Sequence, residues 1–217
     1  TSTLCLCPAS FASVWGYRKQ IPACQSWIRR LAAPSLVGGA IGAWLLMHFE
    51  ERTFRLVVPW LILLAATLFL LQPIIARWMR KSADHPPHGP IAPGTIASVV
   101  LMQLFIGIYG GYFGAGIGIL MLSSLSFLGL EDVHHVNALK STLAFFMNAV
   151  AALLFMLRGM VAWEYALPMA IASILGGYVG ARLALRVPVT LVRWLVIAIG
   201  FGLAGYYFLK EFGPFVV

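Results

Sequence analysis

The stretch "GGYFGAGIGIL", Gly110 to Leu120, places five glycines inside an otherwise apolar run. Each glycine in a helix interior costs about 1 kcal/mol relative to alanine, so the run needs a reason for carrying them. One reason is close packing, because Gly107 and Gly111 have the small-xxx-small spacing of helix contacts in membranes. The other is a break in the helix that builds a ligand site. The spacing alone leaves both open.

The composition is that of a membrane protein. The chain has 217 residues, of which 61% are hydrophobic and 10% charged, whereas a soluble domain is about half apolar and a quarter charged. Apolar runs of about 20 residues can cross a bilayer as helices. We therefore predict an all-α, polytopic membrane protein with about seven apolar segments, at 1–17, 34–49, 56–76, 95–129, 136–157, 165–185 and 191–209.

The length of segment 95–129 favours a break at the glycines. Its 35 residues carry no charge, and one straight helix of that length would measure about 52 Å against a hydrocarbon core of about 30 Å. We therefore expect a broken or re-entrant segment. Irregular backbone at membrane depth is tolerated where it is buried or lines a wet cavity, and its free N–H groups with the following half-helix suit an anion.

The net charge of +8 is explained by loop residues that orient the protein, because cations collect on the cytoplasmic side. It does not indicate a nucleic-acid partner. If segment 95–129 crosses once, the loop cations divide nine to five between the two sides, and if it returns they divide ten to four. The charge distribution therefore favours the returning hairpin.

An internal repeat divides the chain into residues 1–81, a polar, proline-rich loop at 82–94, and residues 95–217. Ser2-Thr3-Leu4 recurs as Ser141-Thr142-Leu143, and "LVGGAIGA" from Leu36 recurs as "LGGYVGA" from Leu175. The first copy starts directly on its Ser-Thr-Leu, so we expect it to lack roughly 45 residues that correspond to the glycine segment. A returning hairpin makes the number of passes in each copy odd, so the copies are predicted to be inverted.

A polar cluster follows the glycine segment in "LEDVHHVNALKSTLAFFMNA", Leu130 to Ala149. Asn137, Lys140 and Ser141 share one helical face by their i, i+3 and i, i+4 spacing, and Asn148 extends it. An ammonium, an amide and a hydroxyl together suit a small oxyanion, although a lysine near a helix end can also reach the membrane surface. Glu131 and Asp132 are typical of a helix start.

Metal and catalytic motifs are weak or missing in the sequence. Cys5, Cys7 and Cys24 do not make a full ligand set, and the adjacent His134 and His135 point about 100° apart on a helix. His85 and His88 lie in the polar loop. Neither GxSxG nor HExxH occurs, so we predict no enzyme activity, no metal site and no cofactor.

The glycine segment and the residues after it, "GGYFGAGIGILMLSSLSFLGLEDVHHVNALKST", resemble the sulfite exporter TauE/SafE family of membrane permeases. The resemblance implies two inverted repeats and export of sulfite or an organosulfonate across the inner membrane. It also implies a substrate site formed by a glycine-rich segment, an Asn-x-x-Lys-Ser-type motif and the Ser-Thr of the first repeat: Gly114, Gly116, Gly118, Asn137, Lys140, Ser141, Thr142, Ser2 and Thr3.

The expected function is secondary transport of a small anion by rocking of the two repeats, with protons as the candidate coupling ion. The main alternative is a membrane scaffold or assembly protein, or an inactive permease fragment, and a channel is a third candidate. No Walker A motif occurs, so an ATP-driven pump would need a partner chain.

Overall fold

The computed structural model describes residues 1–83, 93–126, 128, 132–184 and 188–212. Within these ranges it has no strand and eight α-helices: α1 (Ser2–Gly16), α2 (Ile21–His48), α3 (Glu51–Ala83), α4 (Pro93–Tyr112), α5 (Ile117–Ser126), α6 (Val133–Leu157), α7 (Trp163–Ala184) and α8 (Val189–Phe212). Five of them, α2, α3, α4, α6 and α8, are long and apolar enough to cross a membrane. The expected all-α, multi-pass architecture is therefore confirmed.

The apolar segment 95–129 does break at its glycines. α4 ends at Tyr112 and α5 begins at Ile117, and the residues between them include two glycines with positive φ. The other six apolar segments correspond to one helix each.

Two helices extend well past the apolar segments that predict them. α2 begins at Ile21, before residue 34, and α3 continues to Ala83, beyond residue 76. A helix satisfies its backbone groups internally, so it can continue beyond the apolar layer, where arginine reaches water. Arg30, in the early part of α2, stacks over Trp27 at 5.1 Å. Residues 84–92 of the predicted loop, with His85 and His88, lie outside the described residues.

α2 and α4 pack side by side in the same direction. Moving along α2, Ser35 meets Gln103, Gly38 meets Gly107, and the position of Gly42 faces the backbone of Gly111 and Tyr112. A Cβ at Gly107 would lie 3.1 Å from the Cα of Gly38, so the two backbones touch without side chains between them.

α6 runs in the same direction as α2. Cys24 Sγ donates to the His135 carbonyl at 3.4 Å near the start of both helices, and Gly39 faces Met147 further along. Because α4 and α6 both run parallel to α2, the chain crosses back between the end of α4 and the start of α6. The segment from the start of α4 to the start of α6 therefore begins and ends on one side of the bundle, which agrees with the returning alternative for segment 95–129.

Two pairs of helices that correspond in the predicted repeats pack antiparallel. Along α1, Cys7 contacts Asn148 and Ser13 contacts Ser141, so α1 and α6 run in opposite directions. Along α3 and α8, the rings of Trp60 and Phe208 lie 4.9 Å apart, and Ala66 faces Gly200. The division into repeats at 1–81 and 95–217 stays a prediction.

Candidate functional site

The break between α4 and α5 is held by a few short backbone contacts. The N–H groups of Phe113 and Gly114 both donate to the Tyr109 carbonyl, at 2.8 and 3.1 Å. Gly114 and Gly116 then adopt φ values of +80° and +74°, in the left-handed region that glycine enters without a steric penalty. These two glycines lie in the break that separates the end of α4 from the start of α5.

Tyr109 makes a second contact across the break, through its side chain. Its hydroxyl donates to the Ala115 carbonyl at 2.6 Å. This bond satisfies one of the carbonyl groups that the break in the helix leaves without an intrahelical donor. Sequence analysis missed this residue, because nothing in its spacing separates it from the apolar face of α4.

The break lies against the central part of α3. A Cβ at Gly116 would be 3.6 Å from the Cα of Ala65 and 3.7 Å from Leu68, and Ala65 is buried. The irregular backbone is therefore covered by protein on the α3 side, while Ala115 is exposed. Irregular backbone at membrane depth lies against protein or lines a wet cavity.

Lys140 lies beside the first turn of α5. A Cβ at Gly118 would be 4.0 Å from the Lys140 Cδ, so the glycine leaves room for the aliphatic part of that side chain. The first N–H groups of a helix have no intrahelical acceptor, and they carry a partial positive charge. An ammonium and a helix N-terminus, both attractive to anions, thus lie together.

The half-buried Lys140 has no carboxylate partner in the part of the chain that the structure describes. The ion pairs found there join Arg55 to Glu51 and His135 to Asp132. A cation inside a membrane protein is costly without a compensating charge. A bound anion would supply that charge.

The hydroxyls after Lys140 are directed elsewhere. Thr142 is buried, and its hydroxyl donates to the Ala138 carbonyl of its own helix at 2.8 Å. Ser141 accepts a hydrogen bond from Ser13 Oγ at 3.2 Å, so it faces α1. Asn137 is half-buried one turn before Lys140.

A second polar contact joins α1 to α6. Asn148 Nδ2 donates to Ser10 Oγ at 3.2 Å, two turns from the contact between Ser13 and Ser141. Asn148 and Ser141 therefore share a stripe, as expected, but the stripe faces α1 while Lys140 lies next to α5. Ser10 and Ser13 were not selected from the sequence, although their i, i+3 spacing on α1 is a usable signal.

Ser2 and Thr3 do not lie near Lys140 or the break between α4 and α5. They begin α1, and their neighbour Thr1 accepts a hydrogen bond from the N–H of Ala162 at 3.0 Å, beside the start of α7. Ser13, which does reach α6, is eleven residues further along, about 16 Å by helix rise. Because α1 is antiparallel to α6, its first turn lies near the end of α6.

α6 begins at the position that the acidic pair Glu131 and Asp132 predicts. Asp132 caps α6 by accepting from the N–H of His134 at 2.8 Å, and its carboxylate also lies 3.6 Å from His135 Nε2. Glu131 lies outside the described residues. No group of three or more metal-ligating side chains occurs within the described ranges.

An apolar cavity of about 610 Å³ lies elsewhere, between α1, α6 and α7. Its lining includes Leu4, Pro8, Phe145 and Leu167. It has almost no polar group that could hold an anion, and Lys140 is not among its lining residues.

Comparison with known proteins gives a family match over nearly the whole chain. Residues 1–207 match the family model described as sulfite exporter TauE/SafE. A probable membrane transporter protein of Haemophilus influenzae is 28% identical over 166 residues, which cover 76% of this chain and 61% of that protein. No solved structure matches the chain.

A second relative, probable membrane transporter protein ORF9 of a Sinorhizobium species, is 28% identical over 179 residues. The match covers 80% of this chain and 63% of that protein. The chain thus spans less than two thirds of the length of these curated relatives.

Proposed function

This chain belongs to the sulfite exporter TauE/SafE family, and we propose that it works as a secondary transporter of a small anion. The observation that carries the proposal is the position of Lys140, beside Gly118 in the first turn of α5, with no carboxylate partner among the described residues. The names of both relatives, which describe probable membrane transporters, support the same class of activity.

The substrate proposed is an oxyanion of the sulfite or organosulfonate type. Such an ion offers several oxygens on one centre, and these can accept bonds from the N–H groups at the start of α5 and from the Lys140 ammonium. Gly114, Gly116 and Gly118 shape the backbone of the proposed site, and Asn137 lies one turn before Lys140. Ser141, Thr142, Ser2 and Thr3 are not among the proposed ligands, because Ser141 bonds to α1, Thr142 bonds to its own helix, and Ser2 and Thr3 begin α1 near the end of α6.

The proposed movement is rocking of two inverted repeats, residues 1–81 and 95–217, across the inner membrane. The antiparallel pairs α1/α6 and α3/α8 support it, since corresponding helices of inverted repeats meet in this way around an axis in the membrane plane. Protons are the proposed coupling ion. The alternative of a non-transporting scaffold predicts no saturable binding of anions.

The test is binding of sulfite and of a short alkanesulfonate to the purified chain in detergent, by calorimetry and by thermal shift. The expected result is saturable binding that raises the unfolding temperature, because a ligand bound by the folded state stabilises it. Lys140→Ala should lower the affinity about tenfold or more, which is about 1.4 kcal/mol.

Lys210→Ala is the matched control, since Lys210 is an exposed lysine near the end of α8. It should bind as the parent does. Equal binding by the parent and Lys140→Ala would reject Lys140 as a ligand, and absence of binding by a well-folded parent would reject the anion site and favour the scaffold.

A further inference from the structure

The contact between α2 and α4 depends on one pattern in each helix. α2 carries Ser-x-x-Gly-Gly-x-x-Gly-Ala over residues 35–43, and α4 carries Gln-x-x-x-Gly-x-x-x-Gly over residues 103–111. Ser35 and Gln103 are both fully buried, and Gln103 Nε2 donates to Ser35 Oγ at 3.0 Å. The glycines that follow bring the two backbones into contact.

The lack of side chains in this contact is required by its geometry. A Cβ at Gly38 would lie 2.9 Å from the Cα of Gly107, and one at Gly42 would meet the carbonyl oxygen of Ile108. Small residues at such an interface allow close approach and interhelical hydrogen bonds. The pattern on α2 thus forms a surface on which a helix with the pattern of α4 packs closely.

α7 carries the same pattern over residues 173–181, again Ser-x-x-Gly-Gly-x-x-Gly-Ala. Here the described part of the face, from Ser173 to Gly176, is open. Nothing lies within 4 Å of a Cβ placed at Gly176, Ser173 is only half-buried, and the adjacent Ile174 and Leu175 are 55% and 59% exposed.

The surroundings of α7 also correspond to those of α2. α2 packs in parallel against α6 on one side and α4 on the other. α7 packs in parallel against α1, with Thr1 near Ala162 and Cys5 Sγ donating to the Ala166 carbonyl at 3.2 Å. In the predicted repeats, α1 corresponds to α6. α7 therefore has a counterpart of one neighbour of α2, but no described helix lies against α7 as α4 lies against α2.

We propose that the α7 face formed by Ser173, Gly176, Gly177 and Gly180 is the docking site of a second membrane helix with the Gln-x-x-x-Gly-x-x-x-Gly pattern of α4. The docked helix runs parallel to α7, its glutamine meets Ser173, and its first glycine meets Gly176. The proposal rests on the matching pattern in α2 and is independent of whether the protein transports an anion.

The test uses α4 itself as the probe. A synthetic peptide of residues 93–112 with Gln103→Cys is added in detergent to the purified full chain carrying Ser173→Cys, followed by a mild oxidant. Docking in the α2–α4 manner places the two cysteines on facing helices at the level of the Ser35–Gln103 contact, so we expect a disulfide-linked adduct. The parent chain, which keeps its three native cysteines, measures the background.

The specificity control compares two exposed glycines. Gly176→Leu should lower the adduct yield about tenfold or more, because a leucine on this face prevents close approach of the backbones. Gly202→Leu, on α8 and equally open, should leave it unchanged. Both variants should unfold at the parent temperature, since neither site has a neighbour to displace.

Two results would overturn the proposal. One is an adduct yield no higher than that of the parent chain. The other is a disulfide between two Ser173→Cys chains that excludes the peptide, which would make the face an interface between copies.

Discussion

Gly114 and Gly116 are the residues whose backbone conformation defines the site. Both have φ near +75°, where a side chain meets the following carbonyl. At Gly116 the space around a Cβ is ordinary, with the nearest atom 3.6 Å away. The requirement for glycine there is therefore conformational rather than a matter of volume.

Gly116→Ala should lower the free energy of unfolding by roughly 1–2 kcal/mol, the cost of a side chain in the left-handed region. Thermal unfolding in detergent measures it. Gly202→Ala is the control: this glycine lies in α8 with open surroundings, so alanine should be neutral or stabilising. Equal effects of the two changes would contradict the assigned role of the φ angle.

Tyr109→Phe should lower the free energy of unfolding by about 0.5–1.5 kcal/mol, because it removes the 2.6 Å hydrogen bond to Ala115 while keeping the ring. It should also weaken sulfite binding, since the freed carbonyl can turn toward the bound anion. Tyr165→Phe, at a tyrosine that is 64% exposed, should change neither quantity. Unchanged binding in Tyr109→Phe would show that the carbonyl does not face the site.

At the scale of elements, α2 and α7 have the same glycine pattern in different surroundings. Gly42 and Gly180 are equivalent in sequence, as are Gly38 and Gly176. A Cβ at Gly38 or Gly42 would press against the backbone of α4, whereas nothing lies within 4 Å of a Cβ at Gly176. The same residue type therefore has a different energetic role in each helix.

Gly42→Ala should destabilise the protein by about 1–3 kcal/mol, as overpacking does in a filled interior, because its Cβ would meet the backbone of Ile108 and Tyr112. Gly176→Ala should leave the unfolding temperature of the chain unchanged or raise it. The pair is measured by thermal unfolding under identical detergent conditions. A loss of stability in Gly176→Ala would mean that this face is already covered.

At the scale of the whole molecule, the directions of α2, α4 and α6 require that segment 93–132 begins and ends on the same side. Gly94 then lies on the side opposite Met160, which follows α6. If the segment crossed only once, both residues would lie on one side.

Single cysteines test this arrangement. In a chain with Cys5, Cys7 and Cys24 replaced, Gly94→Cys and Met160→Cys are labelled with a membrane-impermeant maleimide in sealed vesicles. Gly94 has no neighbour within 4 Å and Met160 is 53% exposed, so both tolerate the change. We expect labelling from opposite sides, with Gly16→Cys on the side of Gly94. Labelling of Gly94 and Met160 from one side would contradict the hairpin.

The sequence by itself determined the membrane class, the helical content and the position of the break, because these depend on hydropathy, on segment length and on glycine content. It also indicated Lys140, since an intramembrane lysine is rare enough to be noticed. Helix ends were less predictable. α2 and α3 extend past their apolar parts, where hydropathy gives no signal of where a helix stops.

Only the tertiary structure decided which polar residues meet. Helix periodicity groups Asn137, Lys140 and Ser141 on one face, but Lys140 is close to α5 while Ser141 bonds to α1, because two helices pack on either side of α6. Ser2 and Thr3 match Ser141 and Thr142 in sequence, yet the antiparallel packing of α1 separates them. Tertiary packing also distinguishes the two copies of the Ser-x-x-Gly-Gly-x-x-Gly-Ala pattern, since α4 lies against the glycines of α2 while nothing lies within 4 Å of a Cβ at Gly176 of α7.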